Sequence, residues 1–406
     1  MKRHKSYRNR LTIILLLFFL LVLSAFLLFL MIKKDNFTSQ KSVKLTTDDS
    51  KKSENEEEND SPEQKIEMLI SQMSLEEKVC QLFFITPESL TDTDVVTQAG
   101  DTTKECLKRY PVGGLIYFSQ NIETEDQLTS MIKNSQSYSK IPLFIGIDEE
   151  GGSLVARIGN HPNFDVTTFP DMAQIGASGD PAKAYEVGST IGSYLNDYGF
   201  NVDFAPVADV LTNPENTAIG SRSFGSDPAV VSEMVKDEVL GLQDQQVSAV
   251  LKHFPGHGGT TEDSHNGAAV LDRSLDELRN TEFLPFEAGI QAGADFVMVG
   301  HLQVPQIIPD DTPASLSSVM ITDILRNELG FDGIVITDSL SMGAVTEYYT
   351  PSEAAVMCIQ AGGDLILMPK DFKQAYQGVL DAVNSHTISE ERIDESLRRI
   401  FRVKYQ

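Results

Sequence analysis

Eight strand-length apolar runs, alternating with stretches of helical periodicity, limit most strongly what this chain can fold into. The runs are Gln81–Ile85, Gly114–Phe118, Leu143–Ile147, Val202–Val207, Ser248–Leu251, Phe296–Val299, Gly333–Ile336 and Asp364–Met368. Helical spacing follows in Glu125–Tyr138, Ala182–Leu195, Ala229–Gln243, Leu275–Gln291 and Ile321–Leu329. A strand with one wet face alternates polar and apolar residues. These runs do not alternate, so both of their faces are buried. Such units repeated eight times predict an α/β fold, a (β/α)8 TIM-type barrel forming one catalytic domain over 63–406. An open doubly wound sheet is the alternative. Ser74-Leu75-Glu76-Glu77 predicts a capped helix start.

The chain before this pattern is of another kind. Leu11 to Ile32 is apolar almost throughout. About 20 residues at 1.5 Å rise span the hydrocarbon core of a bilayer. Lys2, Arg3, Lys5, Arg8 and Arg10 precede the run and predict a cytoplasmic end. The expectation is a cytoplasmic tail at 1–10, a single-pass signal anchor at 11–32 and an extracytoplasmic remainder at the cell membrane. A cleaved signal peptide is the rival, but the run is long for one and no small-x-small site follows it. Residues 33–62 are polar and include Ser53-Glu54-Asn55-Glu56-Glu57-Glu58-Asn59-Asp60. They hold too little apolar surface to offset ordering and read as a disordered acidic linker.

A net charge of −26 over 406 residues argues against nucleic acid, whose phosphates require a basic face. The three cysteines, Cys80, Cys106 and Cys358, are too scattered for a disulfide framework and are expected in the core or on helix faces. No glycine pattern of a nucleotide-binding loop occurs. The expectation is a monomer without cofactor.

Barrel chemistry sits where strands end at their C-termini. Ionisable groups follow five of the runs. Asp148-Glu149-Glu150-Gly151-Gly152 follows the third. Asp209 follows the fourth, with Arg222 further along its loop. Lys252 and His253 end the fifth, and His257, Asp263 and His265 come after them. His301 follows the sixth and Asp338 the seventh. A carboxylate closing a rigid strand, as Asp338 does, suits a nucleophile. A helix cap or a buried ion-pair partner is the other reading of it. Asp263, two residues before His265, can fix the imidazole tautomer and raise its pKa, which suits an acid/base. Arg222, Lys252 and His253 suit recognition of sugar hydroxyls, a carboxylate or an acetamido oxygen. Their alternative is internal pairing with Asp148 and Asp209. Gly151, Gly152, Gly256, Gly258 and Gly259 are expected at tight turns. His253, His257, Asp263, His265 and His301 offer zinc-ligand types, but Pro255 and Gly256 break the helix that a two-histidine site needs. No metal is expected.

Lys252-His253-Phe254-Pro255-Gly256-His257-Gly258 with Asp263-Ser264-His265 closely resembles the signature of family 3 glycoside hydrolases, in the β-N-acetylglucosaminidase branch. Asp203-Phe204-Ala205-Pro206-Val207-Ala208-Asp209, Ser221-Arg222-Ser223-Phe224 and Val335-Ile336-Thr337-Asp338-Ser339-Leu340-Ser341-Met342 extend the resemblance over about 63–406. It implies a retaining exo-acting enzyme that releases terminal β-linked N-acetylglucosamine from peptidoglycan-derived fragments. Asp338 would be the nucleophile and His265 with Asp263 the acid/base. Asp148, Arg222, Lys252 and His253 would hold the sugar. The family pattern puts an arginine eight residues after Asp148. Here Ala156 stands there and Arg157 follows, so Arg157 takes that role if one residue is inserted. Glu149 stands for the commoner glutamine, and Ser153 for a larger residue. A phosphorylase or β-glucosidase on the same fold, and an inactive carbohydrate-binding protein, are the other readings.

Overall fold

The computed structural model describes residues 61–261 and 267–406. The expected anchor and the expected acidic linker up to residue 60 lie outside them. Among the described residues no helix is long and apolar enough to cross a membrane. The order begins with a helix over Pro62–Ser71, capped by Ser61, and a second over Leu75–Cys80 with the capping box that Ser74 and Glu77 predict.

The eight runs form eight parallel strands: β1 (Phe83–Ile85), β2 (Gly114–Ile116), β3 (Phe144–Ile147), β4 (Val202–Asp203), β5 (Ser248–Phe254), β6 (Phe296–Val299), β7 (Ile334–Thr337) and β8 (Ile366–Leu367). Neighbours pair in chain order from β1 to β7, and β8 pairs with β1. A bridge between Ile336 and Leu365 joins β7 to β8 and closes the ring, so the open-sheet alternative does not apply. Thr337 N–H donates to Leu365 O at 3.1 Å, and Leu367 N–H donates to Thr337 Oγ1 at 3.1 Å.

Several boundaries shift. Gln81 belongs to the helix end, its N–H donating to Glu77 O, so β1 starts at Phe83. The fifth strand runs three residues longer than its apolar run, through Lys252 and His253. Ala208 N–H donating to Lys252 O at 2.7 Å continues the pairing, and polarity masked this from the hydrophobic pattern. The expected helix Leu275–Gln291 is two helices, Leu275–Asn280 and Phe283–Gln291. Pro285 explains the break. In a continuous helix its ring would strike the carbonyl four residues back.

The main outer helices are α1 (Asp101–Arg109), α2 (Glu125–Tyr138), α3 (Pro181–Tyr198), α4 (Pro228–Gln243), α5 (Phe283–Gln291), α6 (Val319–Glu328, wound as a π-helix), α7 (Pro351–Ala361), α8 (Phe372–Asn384) and α9 (Glu390–Lys404). Cys80 and Cys358 are buried and Cys106 partly so, as expected. The barrel interior is filled by rings. Phe84 lies 5.5 Å from Phe204 and 6.3 Å from Phe144, and Phe144 lies 5.2 Å from Phe296 between centroids. These rings form a packed floor beneath the rim.

Helices α3 and α4 cross in close contact. A Cβ added at Gly188 would stand 2.4 Å from Glu238 O, and one at Gly241 would stand 2.5 Å from Tyr185 O. Neither clash is with a flexible side chain. Gly188→Ala is therefore expected to destabilise the barrel by about 1–3 kcal/mol through overpacking. Urea unfolding followed by far-UV circular dichroism checks it, with an unchanged midpoint against the expectation.

Candidate active site

Polar side chains converge on a pocket of about 320 Å³ among the C-terminal ends of the strands. Asp148, Arg157, Arg222, Lys252, His253 and Asp338 all line it, so every described member of the expected site comes together there. Asp263 and His265 lie outside the described residues. The ends of their loop are fixed nonetheless. Asn213 Nδ2 donates to Thr260 O at 3.0 Å, and Ala269–Val270 pairs in parallel with Leu302–Gln303, just beyond β6. Phe204 and Met298 extend the apolar core into the pocket floor.

The pocket is organised around a cation. Lys252 is 2% exposed, and its Nζ donates to Asp148 Oδ1 at 2.9 Å and lies 2.6 Å from Glu150 Oε1. Arg222 grips Glu150 with two bonds, Nε to Oε2 at 2.8 Å and Nη2 to Oε1 at 2.7 Å. Burial alone would raise the Glu150 carboxyl, but the charges of Lys252 and Arg222 outweigh it and hold it down to about 2. The same carboxylates outweigh burial at Lys252 and hold its ammonium above the ordinary lysine range. Lys252 thus pairs with Asp148, as the internal-pairing alternative has it, whereas Arg222 pairs with Glu150 instead. They pair internally and also line the pocket.

Glu150 went unremarked as a site residue. In extended chain, residues two apart point the same way, so Asp148 and Glu150 share a face. That alternation was a usable signal. Asp209 is the other anchor. Its carboxylate takes His253 Nδ1 at 2.7 Å, His253 N–H at 3.2 Å and His257 N–H at 2.6 Å. The other described zinc candidates, His257 and His301, are engaged too. His257 Nδ1 lies 2.8 Å from Thr260 Oγ1. His301 lies 2.7 Å from Ser315 Oγ through Nδ1 and 2.9 Å from Ser339 O through Nε2. Among the described residues no group of acidic, histidine or cysteine side chains is arranged to hold a metal ion.

Asp338 follows β7 directly. Its N–H donates to Val299 O at 2.9 Å, and its Oδ1 accepts Ser339 N–H at 2.7 Å. Backbone bonds thus aim the carboxylate, and His301 holds the next carbonyl. Arg157 enters on the turn after a short hairpin, with Nη2 3.8 Å from Asp148 Oδ2 and its guanidinium 5.5 Å from the Phe118 ring. The displaced arginine reaches the pocket after all. Gly151, Gly152 and Gly256 do adopt positive φ, whereas Gly258 serves close approach, a Cβ there falling 2.0 Å from Val210 O.

Beneath the pocket lie more carboxyls. Burial raises Glu149, Asp203 and Glu238, the last two well above the ordinary range. One oxygen of Asp203 and one of Glu238 have no hydrogen-bond partner, as neutral carboxyls in a dry site would allow.

A closed parallel barrel with an acid-and-cation pocket at its C-terminal rim is the arrangement of the (β/α)8 class. Residues 74–403 match the glycosyl hydrolase family 3 N terminal domain, and the chain belongs to that family. It is 35% identical over 329 residues to β-hexosaminidase A of Pseudoalteromonas piscicida, covering 74% of this chain and 54% of that protein. It is 32% identical over 342 residues to β-hexosaminidase LpqI of Mycobacterium tuberculosis, covering 82% of this chain and 83% of that one. The solved family 3 β-N-acetylglucosaminidase from Paenibacillus sp. str. FPU-7 superposes with a TM-score of 0.76 at 39% identity, over 82% of this chain and 62% of that chain. The chain thus spans little more than half the length of the Pseudoalteromonas relative.

Lys252→Met would leave Asp148 and Glu150 facing one another with less compensation. Breaking such a buried pair costs about 3–5 kcal/mol. Glu150 has a depressed pKa, so its stabilisation is complete above the ordinary glutamate range and is lost as pH falls toward about 2. The variant's carboxyl protonates at higher pH. Its stability deficit should be largest at neutral pH and shrink on acidification. Thermal unfolding across a pH series checks this, and a deficit that grows on acidification would count against the pairing.

Proposed function

We propose that the chain is a retaining, exo-acting β-N-acetylglucosaminidase that removes terminal β-linked N-acetylglucosamine from peptidoglycan-derived fragments. One observation carries the reading: Asp338 shares a single pocket with Asp148, Arg157, Arg222, Lys252 and His253. At about 320 Å³ the pocket is near the small end of ligand sites, which suits one terminal sugar rather than a run of them. The names of the relatives agree with the sugar.

In this reading Asp148, Lys252, Arg222 and Arg157 orient the sugar hydroxyls by charge-assisted bonds. Asp338 attacks the anomeric carbon. The glycosidic C–O bond breaks as the carboxylate–carbon bond forms, and His265 gives its proton to the leaving oxygen. Water then gives a proton back to His265, attacks the same carbon and frees Asp338. Asp263 orients His265 and favours its charged form. Most retaining glycosidases use a second carboxylate for the proton. The histidine role rests on the loop's sequence and on the anchoring of both loop ends at the same rim.

Location is part of the proposal. Residues 11–32 anchor the chain, and the barrel works outside the membrane on cell-wall glycan. Mass spectrometry of the mature N-terminus tests this, with a start beyond Lys34 against it.

Asp338→Ala should lose on the order of 10⁴-fold or more in turnover, as when a nucleophile acting in a concerted unit is removed. His265→Ala should lose about 10²–10⁴-fold on substrates with poor leaving groups and far less on activated aryl glycosides. Steady-state kinetics on both substrate types decides it. A fully active Asp338 variant overturns the nucleophile, and equal losses overturn the acid role. Product analysis in phosphate buffer should give free sugar, whereas sugar 1-phosphate would make the protein a phosphorylase. Sugar binding without turnover by the wild type would make it a binding protein.

A further inference from the structure

We propose that Glu149 is a positioning residue for Arg157, its buried carboxylate fixing the turn that delivers the guanidinium to the sugar pocket. This rests on the reading of that pocket as a sugar site. Glu149–Gly151 pairs with Val155–Ala156 in a hairpin whose register shifts between Glu149 and Gly151. The chain then turns, and its N–H groups point back at the Glu149 side chain. Oε2 accepts Ile158 N–H at 2.8 Å, and Oε1 accepts Gly159 N–H at 2.8 Å. The Tyr194 hydroxyl, from α3, adds a third donor to Oε1 at 2.8 Å. Glu149 is itself tied to the barrel, its N–H donating to Asp203 Oδ1 at 3.0 Å. A Cβ at Gly159 would stand 2.9 Å from Oε1, so a side chain there would displace the Glu149 carboxylate.

Three donors meeting one side chain require an acceptor at both ends. A carboxylate supplies two oxygens. A glutamine supplies one, and its NH₂ would face a donor. Arg157 directly precedes this turn. It has no tight partner to fix it, since Asp148 is 3.8 Å away and its Nε is buried without a hydrogen bond. Its placement therefore follows from the backbone, and the backbone follows from Glu149. The tip of the hairpin is held separately, Ser153 giving its N–H and Oγ–H to Asp171 Oδ1 at 2.7 Å each. Two of the departures from the family pattern, the acid for glutamine and the arginine one residue late, thus meet at a single turn.

A double-mutant cycle with an aryl N-acetylglucosaminide tests this. Glu149→Gln should raise KM about tenfold while kcat changes less than about twofold, the sign of lost uniform binding. Placed on Arg157→Ala, the same change should add less than about twofold, because its effect passes through the guanidinium. Tyr194→Phe should act in the same direction, more weakly, and runs the same cycle if Glu149→Gln does not fold. An unchanged KM, or the same factor with and without Arg157, overturns the proposal. If the wild type does not turn the substrate over, the functional reading has failed but the positioning inference is still decided by crystallography. The Arg157 guanidinium should move by about 1 Å or more in Glu149→Gln, a displacement large enough to matter for binding geometry. An unmoved guanidinium overturns it.

Discussion

The rim of this barrel depends on one buried ammonium group. Asp148, Glu150 and Asp209 crowd the ends of neighbouring strands, with Glu149, Asp203 and Glu238 buried below. Lys252 reaches into this group from β5 and contacts Asp148 and Glu150, two of the three acids that follow β3. Taking a charge out of water costs several kcal/mol per ion, and only close, well-directed partners offset that. Lys252 has such partners, and so does Glu150 through the Arg222 fork. The result is a stiff lattice of charge across β3, β5 and the loop after β4, without which the carboxylates would protonate or separate.

On the proposed reading, rigidity there matters because a sugar is recognised by direction. Asp148 and Lys252 are already hydrogen-bonded to each other, so their remaining lone pair and proton positions are fixed before a ligand arrives. Preorganised polar groups act without reorganising at the moment of reaction. His253 is held in the same way, its Nδ1 committed to Asp209 so that its other nitrogen has a set orientation. Asp338 is aimed by backbone bonds, its N–H donating to Val299 O of β6 and its Oδ1 accepting Ser339 N–H.

The strands were legible because a buried parallel strand leaves an unbroken apolar run, and all eight runs lie where strands form. What periodicity missed has local causes. β5 continues through Lys252 and His253, polar residues that pairing tolerates because acids receive them. The break before Phe283 was written in Pro285 but submerged in a long helical pattern. The site was legible as positions after strands and as motif residues, and Arg157 as a count that was one residue off. Which acid pairs with which cation was not legible, because Glu150 meets Arg222 from 72 residues away and Asp209 meets His253 from 44 residues away in sequence. No spacing rule encodes such contacts.

The opposite end of the barrel shows that charge clustering alone does not make a site. Asp364, just before β8, is fully buried and is met by Arg326 from α6 and by Arg392 and Arg399 from α9. By inventory this matches the rim, with acid and arginines at strand ends. Here, though, the donors are largely spent on the fold. Arg326 Nη1 bonds Phe331 O and Gly333 O, and Arg392 bonds Ile359 O and Gly363 O. Asp364 also accepts Val335 N–H at 3.0 Å and the Ser396 hydroxyl at 2.7 Å, tying β7 and α9 to β8. That cluster closes the ring. At the rim, by contrast, the Arg157 side chain lines an open pocket and its Nη2 stands 3.8 Å from Asp148 Oδ2, beyond hydrogen-bond distance. The physical difference between a structural ion cluster and a binding one is the hydrogen-bonding capacity left over, and whether a cavity faces it.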